Sequence, residues 1–452
     1  MKPLSSVNNH FSRCIRLSAL LLAAALGFAV PGFAAPPPVT LEALLAEAIR
    51  VNPQLAAARS SAEAAQQMEH IEGALPDPEF VFQYMVTPAE TRAGPIRYRF
   101  ELEQMVPFWG IRGFRREAAR KEAKAIRLDS VERELDVLSE LAVAFHDWDY
   151  AEAALRINFK NRDLLNQLRE LAEQLYAAGQ VPQSDTLKAV VEIARADVAD
   201  AGFRRMSETA QAEISAILNR PLAVSLGQPL TADMNYPVPD LDSLAARALV
   251  RRPDLLAAEA MTEAEQARLD LARREYWPDL KLGAMYAPVK GGTNPTFMAD
   301  GDDDFAIKAG INIPLQIGRR RAAVAGSTAR LEARRHEREA LKVQLIHKIH
   351  ERHERVRETE AVLDLYRSRI RPAAELELES AREGYVTGRL GFIGLLDSQR
   401  SYIGVLFEEA AARRDHRQEL ARLFRTAGLL PTGQEPAGSG EPPSTRLERN
   451  LP

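Results

Sequence analysis

From Ile96 to Glu103 the chain alternates without a break. Ile96, Tyr98, Phe100 and Leu102 fall on one parity, and Arg97, Arg99, Glu101 and Glu103 on the other. A period of two puts successive side chains on opposite faces of a β-strand, one apolar and one charged. Three other stretches share the pattern: Phe80 to Val86, Leu280 to Tyr286, and Phe305 to Ile313. The turn-rich segments 87–95 and 288–304 read as loops, so the four strands pair into two hairpins. Almost everything else has a helical period. Val131, Leu135, Leu138, Ala142 and Phe145 step by four and three, and Leu164, Leu168, Leu171 and Leu175 repeat this. Ile349, Val356, Leu363 and Ile370 are spaced by sevens. Such spacing predicts coiled-coil seams in two very long helices, 110–177 and 319–386, each about 100 Å long at 1.5 Å per residue.

The order of elements occurs twice. "LEALLAEAIRVNPQLAAARSSAEAAQ" (41–66) aligns without a gap on "LDSLAARALVRRPDLLAAEAMTEAEQ" (241–266), with Pro53 on Pro253. "YAAG" (176–179) pairs with "YVTG" (385–388). Each half reads as an Ala/Leu-rich helix (41–74; 241–276), a proline, a hairpin, a long helix, a glycine turn and a returning helix (183–219; 390–427). The predicted organisation is a first repeat over 35–230, a second over 231–428 and a disordered Pro/Gly/Ser-rich tail over 429–452.

The N-terminus adds a location. Lys2, Arg13 and Arg16 precede the apolar run 17–30 and the small residues before Ala35, which predicts a signal peptide over 1–34. The single cysteine, Cys14, lies within it, so the chain beyond has no thiol chemistry and no lipidated first cysteine. A formal net charge of -4 gives no reason to expect nucleic acid. No later stretch is apolar for the ~20 residues that a spanning helix needs, so a membrane role would require β-strands. Strands of 8–11 residues with a dyad pattern suit that role. Four strands cannot close, since the smallest such barrels have eight, and open edges are intolerable in lipid. Two copies would supply eight strands and three twelve; the count alone does not choose.

With both repeats, the hairpin-flanking prolines and the Y-x-x-G turns, the chain over 41–427 resembles the TolC family of outer-membrane efflux proteins. That resemblance implies a mainly α fold with a membrane β-barrel part: long coiled-coil hairpins, two β-hairpins per chain, and a homotrimer with a twelve-stranded barrel on an α-helical tunnel. "GALPDPEF", "ETRAGPIRYRFELEQMVPFWG" and the unlipidated N-terminus resemble the branch paired with heavy-metal efflux pumps. The implied partners are a periplasmic adaptor of the membrane fusion type, an inner-membrane transporter of the resistance-nodulation-division type, and outer-membrane lipids. The implied function is the passive exit duct of a tripartite pump for heavy-metal cations or small toxic compounds. A type I secretion duct and a soluble periplasmic adaptor or scaffold are the alternatives. No phosphate loop, nucleophile elbow or thiol beyond Cys14 is present, so neither enzyme activity nor a cofactor is expected.

The resemblance also assigns sites. Tyr385 and Asp397 match the family's periplasmic gate, with Arg389 one position early and Gly394 where an aspartate is expected; Tyr176 and Asp185 hold comparable places in the first half. The tips at Gly179, Gln180, Gly388 and Leu390 are the expected adaptor-docking surface. Arg112, Arg115, Arg116, Arg319, Arg320 and Arg321 open the long helices, where cations oppose the macrodipole. Lipid phosphates at the barrel rim, or neighbouring Glu side chains, would compensate. His347, His350 and His353 could share a metal with Glu354, though a solvated helix face is the simpler reading, as it is for the acidic loop 300–304.

Overall fold

The computed structural model describes residues 38–222, 226–230, 238, 240–291 and 301–434. The expected signal peptide, residues 292–300 of the second loop and the tail beyond Gln434 lie outside them.

The first half runs α1 (Leu41–Val51), α2 (Pro53–Gly73), β1 (Glu79–Thr91), β2 (Gly94–Val106), α3 (Ile111–Ala177) and α4 (Gln183–Ile217). The second runs α5 (Leu241–Arg251), α6 (Pro253–Arg274), β3 (Leu280–Ala287), β4 (Asp304–Ile311), α7 (Ile317–Leu365), a π-helical turn (Tyr366–Ile370), α8 (Arg371–Val386) and α9 (Phe392–Thr426). The opening helix of each half is two helices rather than the predicted one. A proline drives its predecessor out of the α region, and Asn52 and Arg252 both adopt extended backbone before Pro53 and Pro253. Asn52 then caps α2, its Oδ1 accepting from the Gln54 and Leu55 amides.

Both side chains at this break also reach the end of a returning helix. Asn52 Nδ2 donates to the Ile217 carbonyl of α4 at 2.8 Å. Arg252 Nη1 donates to the Thr426 carbonyl of α9 at 2.6 Å. Two different residues thus satisfy the same orphaned carbonyl in the two repeats.

The strands form one antiparallel sheet in the order β1-β2-β3-β4. The first hairpin is longer than expected: most of 87–95 continues the strands, and the register slips between Tyr84 and Ala89. Pairing carries the alternation across all four strands. Phe82, Phe100, Tyr286 and Phe305 make one row, and Phe80, Leu102, Ala284 and Ile307 the next. This face is exposed, with Ile307 at 80%. On the other face Lys281 pairs with Glu103 at 3.0 Å, and Lys308 pairs with Glu101. Among the described residues, β1 and β4 each have a free edge.

The 67-residue α3 is unbroken and central. It packs against α1, α2, α4, α6 and α9; its predicted seam residue Leu135 is buried, and Leu138, Ala142 and Phe145 are buried beside Trp148 in the principal core. The second long helix departs from expectation. Ile349, Val356 and Leu363 are buried, whereas Ile370 is exposed. The seam resumes at Ala374 and Ala381. The cause is Pro372, which has no amide hydrogen for the Ser368 carbonyl. The chain instead widens for one turn, and the Arg371 amide bonds Tyr366 O, five residues back.

Candidate functional site

At the end remote from the sheet, α3 turns into α4 and α8 into α9 through the same motif. Gly179 and Gly388 have φ of 70° and 72°, a left-handed conformation that favours glycine. The Gln180 amide returns to the Leu175 carbonyl, and the Arg389 amide to the Gly384 carbonyl. This is the Schellman closure that satisfies the last carbonyls of a helix. Gly179, Gln180, Gly388 and Leu390 are exposed at these tips. Leu390 nevertheless lies against Gly384 and Gly394, where any side chain on the glycine would crowd it.

The two tyrosines have opposite fates. Tyr176 is exposed, whereas Tyr385 is 3% exposed. Tyr385 packs on Phe392 with ring centroids 5.3 Å apart, in a cluster with Leu165, Leu168, Leu395 and Leu396. Asp185 in the first turn of α4 is also buried, with Lys188 Nζ 3.1 Å away. Burial, then the Asp185 charge, pushes the Tyr385 hydroxyl up to about 12. The structure therefore brings Tyr385 and Asp185, one from each repeat, near enough for the carboxylate charge to act on the hydroxyl, which itself has no hydrogen-bond partner among the described residues. It gives Arg389 no such place: among the described residues its guanidinium has no hydrogen-bond or ion-pair partner.

Asp397 is bound instead to Arg400 at 2.9 Å, and Arg400 reaches Glu192 on α4 at 2.7 Å. Hydrogen bonding from Arg400 holds the Glu192 carboxyl below its usual range. Lys160 donates to the Tyr402 hydroxyl at 2.7 Å, and Asn161 meets Gln399. These ties join the two helical hairpins, and sequence reasoning missed them. Arg400 stands three residues after Asp397 and was legible as a helical pair; Glu192 came from another repeat and carried no local signal.

At the opposite end, the arginines that open α3 and α7 find an unexpected partner. Arg112 donates to the Gly73 carbonyl through Nε and Nη2 at 3.0 and 2.8 Å, and Arg320 Nε donates to the Glu275 carbonyl at 2.7 Å. Each places a cation on the C-terminus of the helix preceding its hairpin, where the macrodipole is favourable. Arg116 pairs with Glu69 at 3.0 Å. Arg115, Arg319 and Arg321 have no such partner among the described residues; Arg115, Arg319 and Trp277 line a cleft of 220 Å³ at the base of the sheet. At the same level Phe108 stacks on Trp277 at 5.1 Å and Trp109 is 90% exposed. An aromatic band beside an apolar sheet face is the layout of a membrane interface.

His347, His350 and His353 lie on one helix, with His347, His350 and Glu354 on a shared open face. No group of three or more metal-ligating side chains converges among the described residues, and none of the described helices is long and apolar enough to cross a membrane.

The profile of the family described as outer membrane efflux protein matches residues 44–220 and 244–429, one match per repeat. The cobalt-zinc-cadmium resistance protein CzcC of Cupriavidus metallidurans is 23% identical over 385 residues, 82% of this chain and 87% of that protein. Among solved structures, CusC superposes with a TM-score of 0.74 at 17% identity, over 86% of this chain and 92% of that one. The open state of the MtrE outer membrane channel of Neisseria gonorrhoeae gives 0.71 at 20% identity, over 88% and 91%.

Proposed function

The chain belongs to the outer membrane efflux protein family, and from that premise we propose that three copies form the exit duct of a tripartite pump. An outer-membrane channel is not an enzyme, and the soluble scaffold considered from sequence is set aside by the family. One observation carries the closure by several copies, while the number three follows from the family: a four-stranded sheet with a continuous apolar face and, among the described residues, two unpaired edges. Each unsatisfied backbone group would cost several kcal/mol in hydrocarbon, so β1 of one copy pairs with β4 of the next. Three copies make twelve strands, and the partly bare α7 of each copy, with Val343 and Ile346 exposed, meets its neighbour below.

In this assembly the ion-paired face of the sheet lines the lumen. Tyr385, Asp185 and Asp397 stand around the periplasmic aperture, with Tyr176 and Arg389 nearby. Gly179, Gln180, Gly388 and Leu390 face the periplasmic adaptor, which connects the duct to an inner-membrane transporter of the resistance-nodulation-division type. Energy comes from that transporter. The cargo is heavy-metal cations, in keeping with the cobalt-zinc-cadmium resistance relative. Arg115, Arg319 and Arg321, beside the aromatic band, contact lipid phosphates.

The mature chain in planar bilayers should give trimer-sized conductance steps, and a strain lacking it should become sensitive to cobalt, zinc and cadmium. A water-soluble monomer without conductance would end the duct reading; sensitivity to toluene but not to metals would overturn the cargo. Replacing Arg115, Arg319 and Arg321 with Gln should reduce retention of anionic phospholipid by the purified trimer, and unchanged retention would remove the lipid role.

A further inference from the structure

The two long helices share a register but not a cover. Arg112 and Arg320 hold one place, each on the C-terminus of the helix before its hairpin. In that register Val137, Leu141 and Trp148 of α3 fall on Leu345, Ile349 and Val356 of α7, and all six are buried. The adjacent stripe differs. On α3, Leu135, Leu138, Ser139, Ala142 and His146 are buried too. Their counterparts on α7, which are Val343, Ile346, His347, His350 and Glu354, are all exposed.

On α3 that side is met by α9. Gln418 donates to the Val143 carbonyl at 3.1 Å, Arg417 pairs with Asp149 at 3.1 Å, and the Arg417 charge acts on His146. The counterpart of α9 is α4, with Ile217 on Thr426 at the clasped carbonyls. Arg417, Gln418 and Ala421 then fall on Glu208, Thr209 and Ala212, of which the first two are exposed and the third half-buried. α9 packs on both α7 and α3, whereas the one extensive contact of α4 among the described residues is with α3. In a closed ring each bare face meets the other, α7 of one copy against α4 of the next.

What this second seam encloses is different chemistry. In the first, His146, kept neutral by burial, faces the Arg417 cation. In the second, Glu354 replaces His146 and Glu208 of the next copy replaces Arg417, so carboxylate faces carboxylate. His347, His350 and Glu354 follow one another at helical spacing on one side of α7. With Glu351 they line an open groove of 640 Å³. Thr209 and Ala212 of the next copy are too small to fill it. Arg357 stands 3.4 Å from Glu354 and answers one carboxylate, but a guanidinium has nothing to offer the lone pair of an imidazole.

We propose that the seam between copies holds a divalent transition-metal ion, bound by His347, His350 and Glu354 of one copy and by Glu208 of the next. Imidazole with carboxylate suits Zn²⁺ or Co²⁺, whereas Mg²⁺ and Ca²⁺ take oxygen sets. One chain alone does not complete the site, in keeping with the lack of three converging ligands among its described residues. The ion is a resident tie between copies, distinct from cargo passing down the lumen. The proposal rests on the ring of copies proposed above.

The probe is Zn²⁺ or Co²⁺ alone, added to the full mature chain purified as a chelator-stripped trimer in detergent. One ion per chain should bind, Co²⁺ should acquire the visible absorption of a tetrahedral nitrogen–oxygen site, and Zn²⁺ should raise the temperature at which the trimer dissociates. His350→Gln should weaken binding at least about tenfold, and Glu208→Gln should do the same from a different helix. Trimers mixed from these two variants, isolated through a different tag on each chain, should recover part of the tight binding. There α7 of a Glu208→Gln chain meets α4 of a His350→Gln chain, and one intact site is rebuilt. If either variant does not form trimers, His347→Gln and Glu208→Asp give the same comparison. Parent-like affinity in the histidine variant, or mixed trimers no better than either parent variant, overturns the site. Bilayer conductance reads the duct separately: a conducting trimer that takes up no Zn²⁺ removes the site and leaves the duct, and metal-binding trimers that never conduct do the reverse.

Discussion

The two repeats have the same order of elements and the same turn at the tip, yet differ at three heights. At the break between the opening helices, Asn52 caps and clasps in the first repeat, while Arg252 in the second adds ion pairs to Asp254 at 2.8 Å and Glu132 at 3.1 Å. In the long helix, continuous α3 faces a second helix interrupted by a π-turn. At the tip, Tyr176 is in solvent and Tyr385 is buried against Phe392. The differences are physical, with α3 packed on several sides and the second hairpin interrupted by a π-turn and tied by side chains. What persists in both halves is what the backbone requires: a left-handed glycine after a helix, and a donor for each exposed terminal carbonyl.

The comparison can be broken most forcefully at Arg252. Arg252→Ala removes a buried partner of Glu132 and the donor to Thr426. Because Arg425 still pairs with Glu132 at 2.8 Å, the loss should sit at the low end for a broken buried pair, about 3 kcal/mol. Asn52→Ala removes a cap and one buried donor and should lose about 1–2 kcal/mol. Thermal unfolding of the detergent-solubilised protein ranks the two, and equal losses would contradict the difference between them. Next in size is the seam. Leu363→Ala should destabilise by about 2–3 kcal/mol through the cavity it leaves, whereas Ile370→Ala, at an exposed position, should stay below about 1 kcal/mol. A reversed order would mean that the heptad runs through the π-turn after all.

At the tip, Tyr385→Phe should alter the closed-state leak in bilayers and Tyr176→Phe should not. Tyr385 also has a pH signature. Its folded pKa of about 12 lies above the unfolded value near 10. Its contribution to stability is therefore complete below pH 10 and is lost as pH rises from 10 toward 12. The parent should lose denaturation midpoint over that window faster than Tyr385→Phe; parallel curves would remove the effect. The smallest expectation is an agreement between the repeats. Arg112→Gln and Arg320→Gln should each cost a few tenths of a kcal/mol, at helix C-termini of the same kind. A large difference would show that one arginine serves the lipid rim as well.

Much of this was legible in one dimension because the signals are local. Phe80 to Val86 and Ile96 to Leu102 declare strands by parity, and Val131 to Phe145 declare a seam. Pro53 and Pro253 mark the repeat in the sequence, but the helical period continues across them, and only the extended backbone at Asn52 and Arg252 splits each opening helix in two. Pro372 was equally visible. The sevenfold spacing ending at Ile370 concealed its consequence, since a spacing rule assumes a constant helix and a π-turn is the insertion that breaks it.

The sequence determined the elements, their duplication and the fact that a four-stranded unit could not be complete in a membrane, because periodicity and backbone hydrogen bonding are properties of a short length of chain. Only the tertiary structure decided which side chains meet. Tyr385 near Asp185, Arg400 with Glu192, and Arg367 and Arg371 on Glu409 each bring together residues of different helices. Over such separations the partner is chosen by how the helices pack, and spacing along the chain carries no record of it.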